Sequence, residues 1–360
     1  MKHLFLLLCV LSLSLNSVAQ ANENETLDTR RDFFFIVPAV SYTPETKWGA
    51  GVVSMYNFYM NFEDTISPAS SVQLWSGYTQ NKQFLVYVPF NFIWNERKWI
   101  SKGQIGFYKY FYYYYGYGEQ LLKDRESYEV DFPRVRVDLH RKIHSRWYAG
   151  VRMWYEDYQF KRFDEGGQLD TFDVPGKEGG AIFGAGAVVS GDFRDNVFYP
   201  RKGWLVEGVT QPFGSGLSNY SFWRNRFDIR KYSSLSKKLV VANQIFVDVV
   251  NGNTPFYSMP FLGGQNRMRG LIEGSLRDKS AWIFQTEFRA EIYKRFGAVA
   301  FLSAGSTSQS LSEFQLERTV FAGGGGLRFT LDKEKHMNLR FDAAWARDQF
   351  NYYITIGEAF

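Results

Sequence analysis

The chain has 360 residues, 45% hydrophobic, 19% aromatic and 22% charged, with a formal charge of +5. That aromatic load excludes a disordered chain, and a single Cys excludes a disulfide scaffold or a cysteine-rich metal cluster. A mean hydropathy of −0.31 excludes a bundle of apolar helices, but it suits a barrel whose strands alternate lipid-facing apolar residues with polar lumen residues.

The first element reads as an export signal. Lys2 and His3 precede the apolar run Leu4–Leu15, and Ala19-Gln20-Ala21 is a small-x-small cleavage site. The expected organisation is a cleaved signal over 1–21, a short periplasmic N-terminus over 22–32 and a barrel over 33–360. Cys9 would leave with the signal, in keeping with an oxidising destination.

After that, period-two alternation recurs along the chain. Phe132–His140 sets Arg134, Arg136, Asp138 and His140 against Val135, Val137 and Leu139. Phe222–Tyr232 sets Arg224, Arg226, Asp228 and Arg230 against Trp223, Phe227 and Ile229. Ala281–Tyr293 sets Gln285, Glu287, Arg289 and Glu291 against Trp282, Phe284, Phe288 and Ile292. Met337–Trp345 sets Asn338, Arg340 and Asp342 against Leu339, Phe341 and Trp345. Aromatic faces opposed to ladders of both charge signs fit a lipid face and a wet lumen.

The pattern predicts an all-β fold, a 16-stranded antiparallel transmembrane β-barrel. Its strands fall at about 34–42, 48–60, 69–79, 83–94, 98–112, 128–141, 146–160, 180–191, 203–212, 220–232, 238–250, 279–292, 297–306, 319–331, 337–346 and 350–359. With a periplasmic N-terminus, the turns on that side are mostly short. The opposite connections 113–127, 161–178, 251–278 and 307–318 are long, which is the asymmetry of bacterial outer-membrane barrels. The aromatic run Phe107–Tyr117 is assigned to the interfacial girdle and rim. The C-terminal strand, with Tyr352, Ile354, Ile356 and a final Phe360 on one face, is similar to the recognition signal such barrels present to their assembly machinery. Glu358 breaks that face.

Catalytic constellations are lacking. The four His do not cluster, no Gly-x-Ser-x-Gly elbow exists, and Gly323–Gly326 lies in a strand pattern that suits close packing or a bend. Asp164–Asp173 reads as an exposed polar loop. No enzyme activity, metal or cofactor is expected. Basic residues are dispersed, so nucleic acid is not an expected partner despite a pI near 9.0.

The 251–278 loop is too long for a passive connector. Its segment Leu262-Gly263-Gly264-Gln265-Asn266-Arg267-Met268-Arg269-Gly270-Leu271 resembles the inward-folded sixth extracellular loop of the Omp85 superfamily, the bacterial surface antigen barrels that include Bam- and Tam-type insertases and two-partner secretion pores. Arg269 and Gly270 match its Arg-Gly-aromatic signature, and Leu271 replaces the aromatic. The turn Asp192, Asp195, Asn196, Pro200, Gly203 resembles the family's Asp-x-x-Asn-x-x-x-Pro-x-x-Gly turn. Phe301-Leu302-Ser303-Ala304-Gly305 aligns with its Phe-x-Asp-x-Gly, with Ser303 where the Asp is expected. The resemblance implies that Arg269 is pinned to the lumen wall by Glu287, with Ser303 as a weaker acceptor.

No polypeptide-transport-associated module precedes the barrel in this sequence, which resembles a barrel-only branch. The resemblance implies insertion or translocation of polypeptides or lipids through a weak seam between the first and last strands, where Pro38, Gly357 and Phe360 lie. Outer-membrane lipids, client polypeptides and a second copy of the chain are the candidate partners. The alternative is a structural or accessory barrel, or a passive pore.

Overall fold

The computed structural model describes residues 31–118, 125–197, 199–332 and 337–360. The signal over 1–21 and most of the short N-terminal stretch lie outside these residues, as does the turn containing His336.

Sixteen strands form one closed antiparallel barrel. They are β1 (Phe33–Thr43), β2 (Lys47–Phe58), β3 (Ser70–Thr79), β4 (Phe84–Trp94), β5 (Trp99–Tyr114), β6 (Glu126–His144), β7 (Trp147–Phe163), β8 (Gly180–Asp192), β9 (Gly203–Phe213), β10 (Phe222–Ser234), β11 (Leu239–Gly252), β12 (Ser280–Tyr293), β13 (Phe296–Ser308), β14 (Val320–Asp332), β15 (Met337–Ala346) and β16 (Gln349–Ile356). Every strand lies beside its sequence neighbours, so the topology is up-and-down. Among the described residues no helix is long and apolar enough to cross a membrane.

The alternation sorts as expected on β12. Phe284 and Phe288 are exposed on the outer wall, while Ile283, Gln285, Glu287 and Arg289 are buried inside. On β10, Trp223 and Phe227 are exposed and Arg224 is buried. An outer wall of exposed aromatic and aliphatic side chains is what a lipid face requires.

The wall is uneven in height. β6 and β7 run for 19 and 17 residues, β15 and β16 for 10 and 8. β5, β6 and β7 end two to three residues later than their alternation predicts, at positions such as Tyr113, Tyr114, Lys142, His144 and Arg162 where polar and aromatic residues interrupt the pattern.

The run in β5 is not simply a girdle. Tyr108 and Tyr114 point inward and join Tyr128, Phe132, Tyr158 and Phe256 in a buried aromatic cluster. Tyr108 stacks on Phe132 at 5.0 Å and Phe132 on Tyr158 at 4.5 Å. The two loops spanning 164–179 and 253–279 add Leu169, Val174 and Tyr257 to it. An apolar cluster therefore occupies the β5–β11 side of the lumen at the long-loop rim. Exclusion of water from these rings, each burying some 150–250 Å² of surface, is the driving force.

Candidate functional site

The site is the place where the 253–279 loop meets the wall near the barrel seam. The loop enters through a single turn at Phe256–Ser258 and a two-residue ladder, Phe261–Leu262 against Leu276–Arg277. Its tip is a tight turn: Gly263 N–H donates to Arg267 O at 3.0 Å and Gly264 N–H to Leu271 O at 2.9 Å. Apolar residues anchor it. Leu262, Met268 and Leu271 are buried against Phe246, Ile283, Val320 and Ala346 of the wall. Leu271, which stands in for an aromatic, fills this pocket.

Arg269 is the polar anchor. Its two terminal nitrogens donate to Glu287 on β12 at 2.5 Å and to Asp342 on β15 at 2.6 Å. Its guanidinium also lies 3.4 Å from the centre of the Phe301 ring. All three charged groups are buried, with side-chain exposures of 2%, 0% and 0%. Burial of charge is tolerable only where each ion is matched, and further arginines complete the set. Arg289 donates to Glu287 at 2.7 Å, Arg328 to Asp342 at 2.6 Å, and Arg340 lies 3.4 Å from Asp342.

Asp342, and not Ser303, thus supplies the second acceptor. Ser303 faces the lumen opposite Gln285 and is buried, but it makes no hydrogen bond to Arg269. The signal for Asp342 was its lumen parity in the Met337–Trp345 alternation. The glycines explain how the ring and carboxylate fit. A Cβ at Gly324 would lie 2.8 Å from the Phe301 ring, and one at Gly326 would lie 2.1 Å from the Asp342 carboxylate. At Gly305 a Cβ would come within 3.0 Å of Leu262. Within the run Gly323–Gly326, the two lumen-facing glycines, Gly324 and Gly326, therefore clear room on the wall for the Arg269 clamp.

Gly270 has φ +110°, and a Cβ there would sit 2.8 Å from the Trp345 backbone. Only glycine fits this approach. The last strand then grips the loop backbone. The Tyr353 hydroxyl accepts from Gly270 N–H at 3.1 Å and donates to Leu271 O at 3.2 Å. Asn351 donates to Gly270 O at 2.7 Å, and Gln349 accepts from Ile272 N–H at 3.3 Å. On the other side of the seam, Glu45 in the β1–β2 turn accepts from Glu273 N–H at 2.7 Å. The sequence reading did not find this grip, because it comes from single polar residues with no motif of their own.

The seam itself is sparse. β1 runs beside β2 over its full length, from Phe33 opposite Asn57 to Thr43 opposite Lys47. Its one backbone-paired position with β16 is Tyr42 opposite Ile354, and there Tyr42 stacks on Tyr352 at 4.2 Å. Pro38, opposite Val52, brings no backbone donor to this strand.

Gly357 turns the chain out of the wall with φ +89°. The residues after it differ from expectation. Glu358 is not on the lipid face: it accepts from Arg328 at 2.9 Å and from Asn338 at 2.8 Å inside the barrel. Phe360 is buried with Tyr232, Ala242 and Ala359, and its main-chain oxygen accepts from Arg289 at 3.0 Å. The parity that placed Phe360 on the outer face fails because the left-handed glycine breaks the strand.

The Asp192–Gly203 turn lies at the opposite rim. Asp195 accepts from Arg201 N–H at 2.9 Å and Asn196 from Tyr199 N–H at 2.9 Å. Asp192 takes Arg194 in a two-pronged pair at 2.9 and 2.7 Å. Pro200 lies between Tyr199 and Arg201, and Gly203, at φ +112°, passes close to Phe193 O. These groups hold the turn's own shape. Arg201 also donates to the Ser236 and Lys237 carbonyls and pairs with Glu291, tying the turn to its neighbours. Among the described residues no group of His, Cys, Asp and Glu could hold a metal ion.

Residues 46–360 match the Omp85 superfamily domain. The chain belongs to the Omp85 superfamily. Among solved structures, this Omp85 barrel is similar to BamA from Haemophilus ducreyi lacking POTRA domains 1–3, at 11% identity and a TM-score of 0.62, over 91% of this chain and 70% of that one. It is also similar to CdiB from Acinetobacter baumannii (11% identity, TM-score 0.57, 92% of this chain, 60% of that one) and CdiB from Escherichia coli (10%, 0.61, 93% and 63%). The chain thus spans less than two thirds of either CdiB chain. At these identities the likeness is one of fold: a closed 16-stranded outer-membrane barrel. No curated protein matches the chain.

Proposed function

We propose that this barrel inserts or translocates polypeptides or lipids at the outer membrane by opening between β1 and β16. One observation carries the reading: the two strands share a single ladder position, Tyr42 opposite Ile354, and the chain leaves the wall at Gly357. Strands that share so short a ladder can part to admit an incoming strand or to disturb the adjacent lipid. Membership of an insertase and translocator superfamily supports the same reading. The clamp at Arg269 then holds β12 and β15 to the loop, while the loop's grip on β16 and on Glu45 governs the seam. In this reading the chain's N-terminus and tight turns face the periplasm, the long loops face outward, and residues 1–21 are a removed signal.

The aromatic cluster and the inserted loop, which occupy the lumen's long-loop end, argue against the passive-pore alternative. The test is reconstitution. Proteoliposomes carrying the purified chain should accelerate the folding of a urea-denatured outer-membrane β-barrel, or the transfer of labelled lipid, over empty vesicles. Equal rates for both substrates in both vesicle types would leave only the structural or accessory role.

A further inference from the structure

Below the loop tip, the lumen wall carries an excess of arginine with no function in the clamp. Arg136 on β6 and Arg224 and Arg226 on β10 surround the Trp154 ring at 5.4, 5.5 and 5.7 Å. Arg226 and Arg267 share the Phe246 ring at 5.6 and 3.8 Å. One group therefore extends from the loop to β6. Carboxylates near it are few and shared. Asp248 takes both Arg224, at 2.6 Å, and Arg226, at 2.9 Å. Asp138 and Glu207 both take Arg152, at 2.6 and 2.9 Å, and Glu207 also takes Lys102 at 3.3 Å. Arg136 lies 3.8 Å from Asp138, beyond hydrogen-bond reach. Arg267 lies over the Phe246 ring and makes no ion pair of its own among the described residues. The neighbouring Asp228 is bound by Arg230 and Glu156 by Arg134. Six cations thus face three carboxylates.

Two donors of this group also lack acceptors. The Arg226 Nε and the Trp154 ring nitrogen are buried with no hydrogen-bond partner among the described residues. Yet the group is not sealed: Arg136 keeps 29% side-chain exposure, Arg226 13% and Lys102 40%. Unmatched positive charge in a low-dielectric lumen is costly, and an anion relieves it. Guanidinium groups favour oxyanions that accept paired N–H donors, phosphate above all.

We infer that Arg136, Arg226 and Arg267 form a lumen site for a phosphate-type dianion, either free or as a lipid headgroup. The site is independent of the seam: it uses no residue of β1 or β16. The test is calorimetric titration of the detergent-purified barrel with sodium pyrophosphate and, separately, with dihexanoyl phosphatidic acid. At least one should bind, and the triple change Arg136→Gln, Arg226→Gln, Arg267→Gln should weaken it by about tenfold or more, a loss of about 1.4 kcal/mol. Arg230→Gln, which removes a cation already matched by Asp228, should change affinity less than about twofold, within about 0.4 kcal/mol. Tighter pyrophosphate assigns the free anion, tighter phosphatidic acid the headgroup. Binding of neither probe, or equal binding by the triple variant with a retained barrel spectrum, overturns the site.

Discussion

Arg269 carries the most consequential single contact. Truncating it leaves Glu287 to Arg289 and Asp342 to Arg328 and Arg340 beside an emptied slot, so the cost falls toward the low end of the about 3–5 kcal/mol for breaking a buried pair from one side. Arg269→Ala should therefore lower the unfolding midpoint of the barrel and expose the 253–279 loop to protease. Because Arg269 touches Glu287 directly, the double change with Glu287→Ala should cost clearly less than the sum of the two single changes; additive costs in urea unfolding would show that the pair is not coupled. Ser303→Ala, which removes no bond to Arg269, should stay within about 0.5 kcal/mol.

A second residue-scale prediction concerns Glu273, on the loop. Burial, and then the facing Glu45, raise its carboxyl to about 7. A raised carboxyl favours the docked loop when protonated and penalises it when ionised, so docking weakens as pH rises from the ordinary glutamate range through about 7. Glu273→Gln should tighten the loop by about 1–2 kcal/mol at pH 8 and by little at pH 5. Protease access at the loop, measured at both pH values, checks the sign.

At the scale of elements, the loop tip and the end of β16 depend on backbone shape. Gly270→Ala adds a methyl into the Trp345 backbone at a left-handed position, so a cost of at least about 2 kcal/mol and expulsion of the tip are expected. At Gly357 a Cβ would meet nothing, so Gly357→Ala adds only backbone strain of about 1 kcal/mol. That strain favours a straighter β16 and longer pairing with β1, readable as faster disulfide formation between cysteines placed across the seam.

These elements also show what could be read from sequence. Lumen parity on β12 identified Glu287 because alternation is strict where one face meets lipid and the other water. The same rule misplaced Glu358 and Phe360, since one left-handed glycine ends the strand and period two no longer applies. Parity also made Asp342 visible as a lumen carboxylate, but nothing local tied it to a loop 73 residues away. The inward half of the β5 aromatic run looked like a girdle because an apolar plug inside a barrel leaves the same residue types as a lipid face. The grip of Gln349, Asn351 and Tyr353 on loop backbone has no sequence signature at all.

For the whole molecule, a 16-stranded wall predicts a circular dichroism spectrum dominated by strand and a heat-modifiable band on gels; a helix-rich spectrum would contradict the fold. Stability is unevenly spread around the circumference. From β5 to β7 the strands are long and backed by the aromatic cluster, whereas β16 is the shortest strand and shares one ladder position with β1. Opening should therefore localise to the β1–β16 seam, where the strands share one ladder position and a stacked tyrosine pair. The most direct measurement is a disulfide across it, with Tyr42→Cys and Ile354→Cys in a chain whose only native cysteine is Cys9. The oxidised barrel in proteoliposomes should lose the insertion or lipid-transfer activity of the reduced form and regain it on reduction. A fully oxidised barrel that works as fast as the reduced one would contradict opening at the seam.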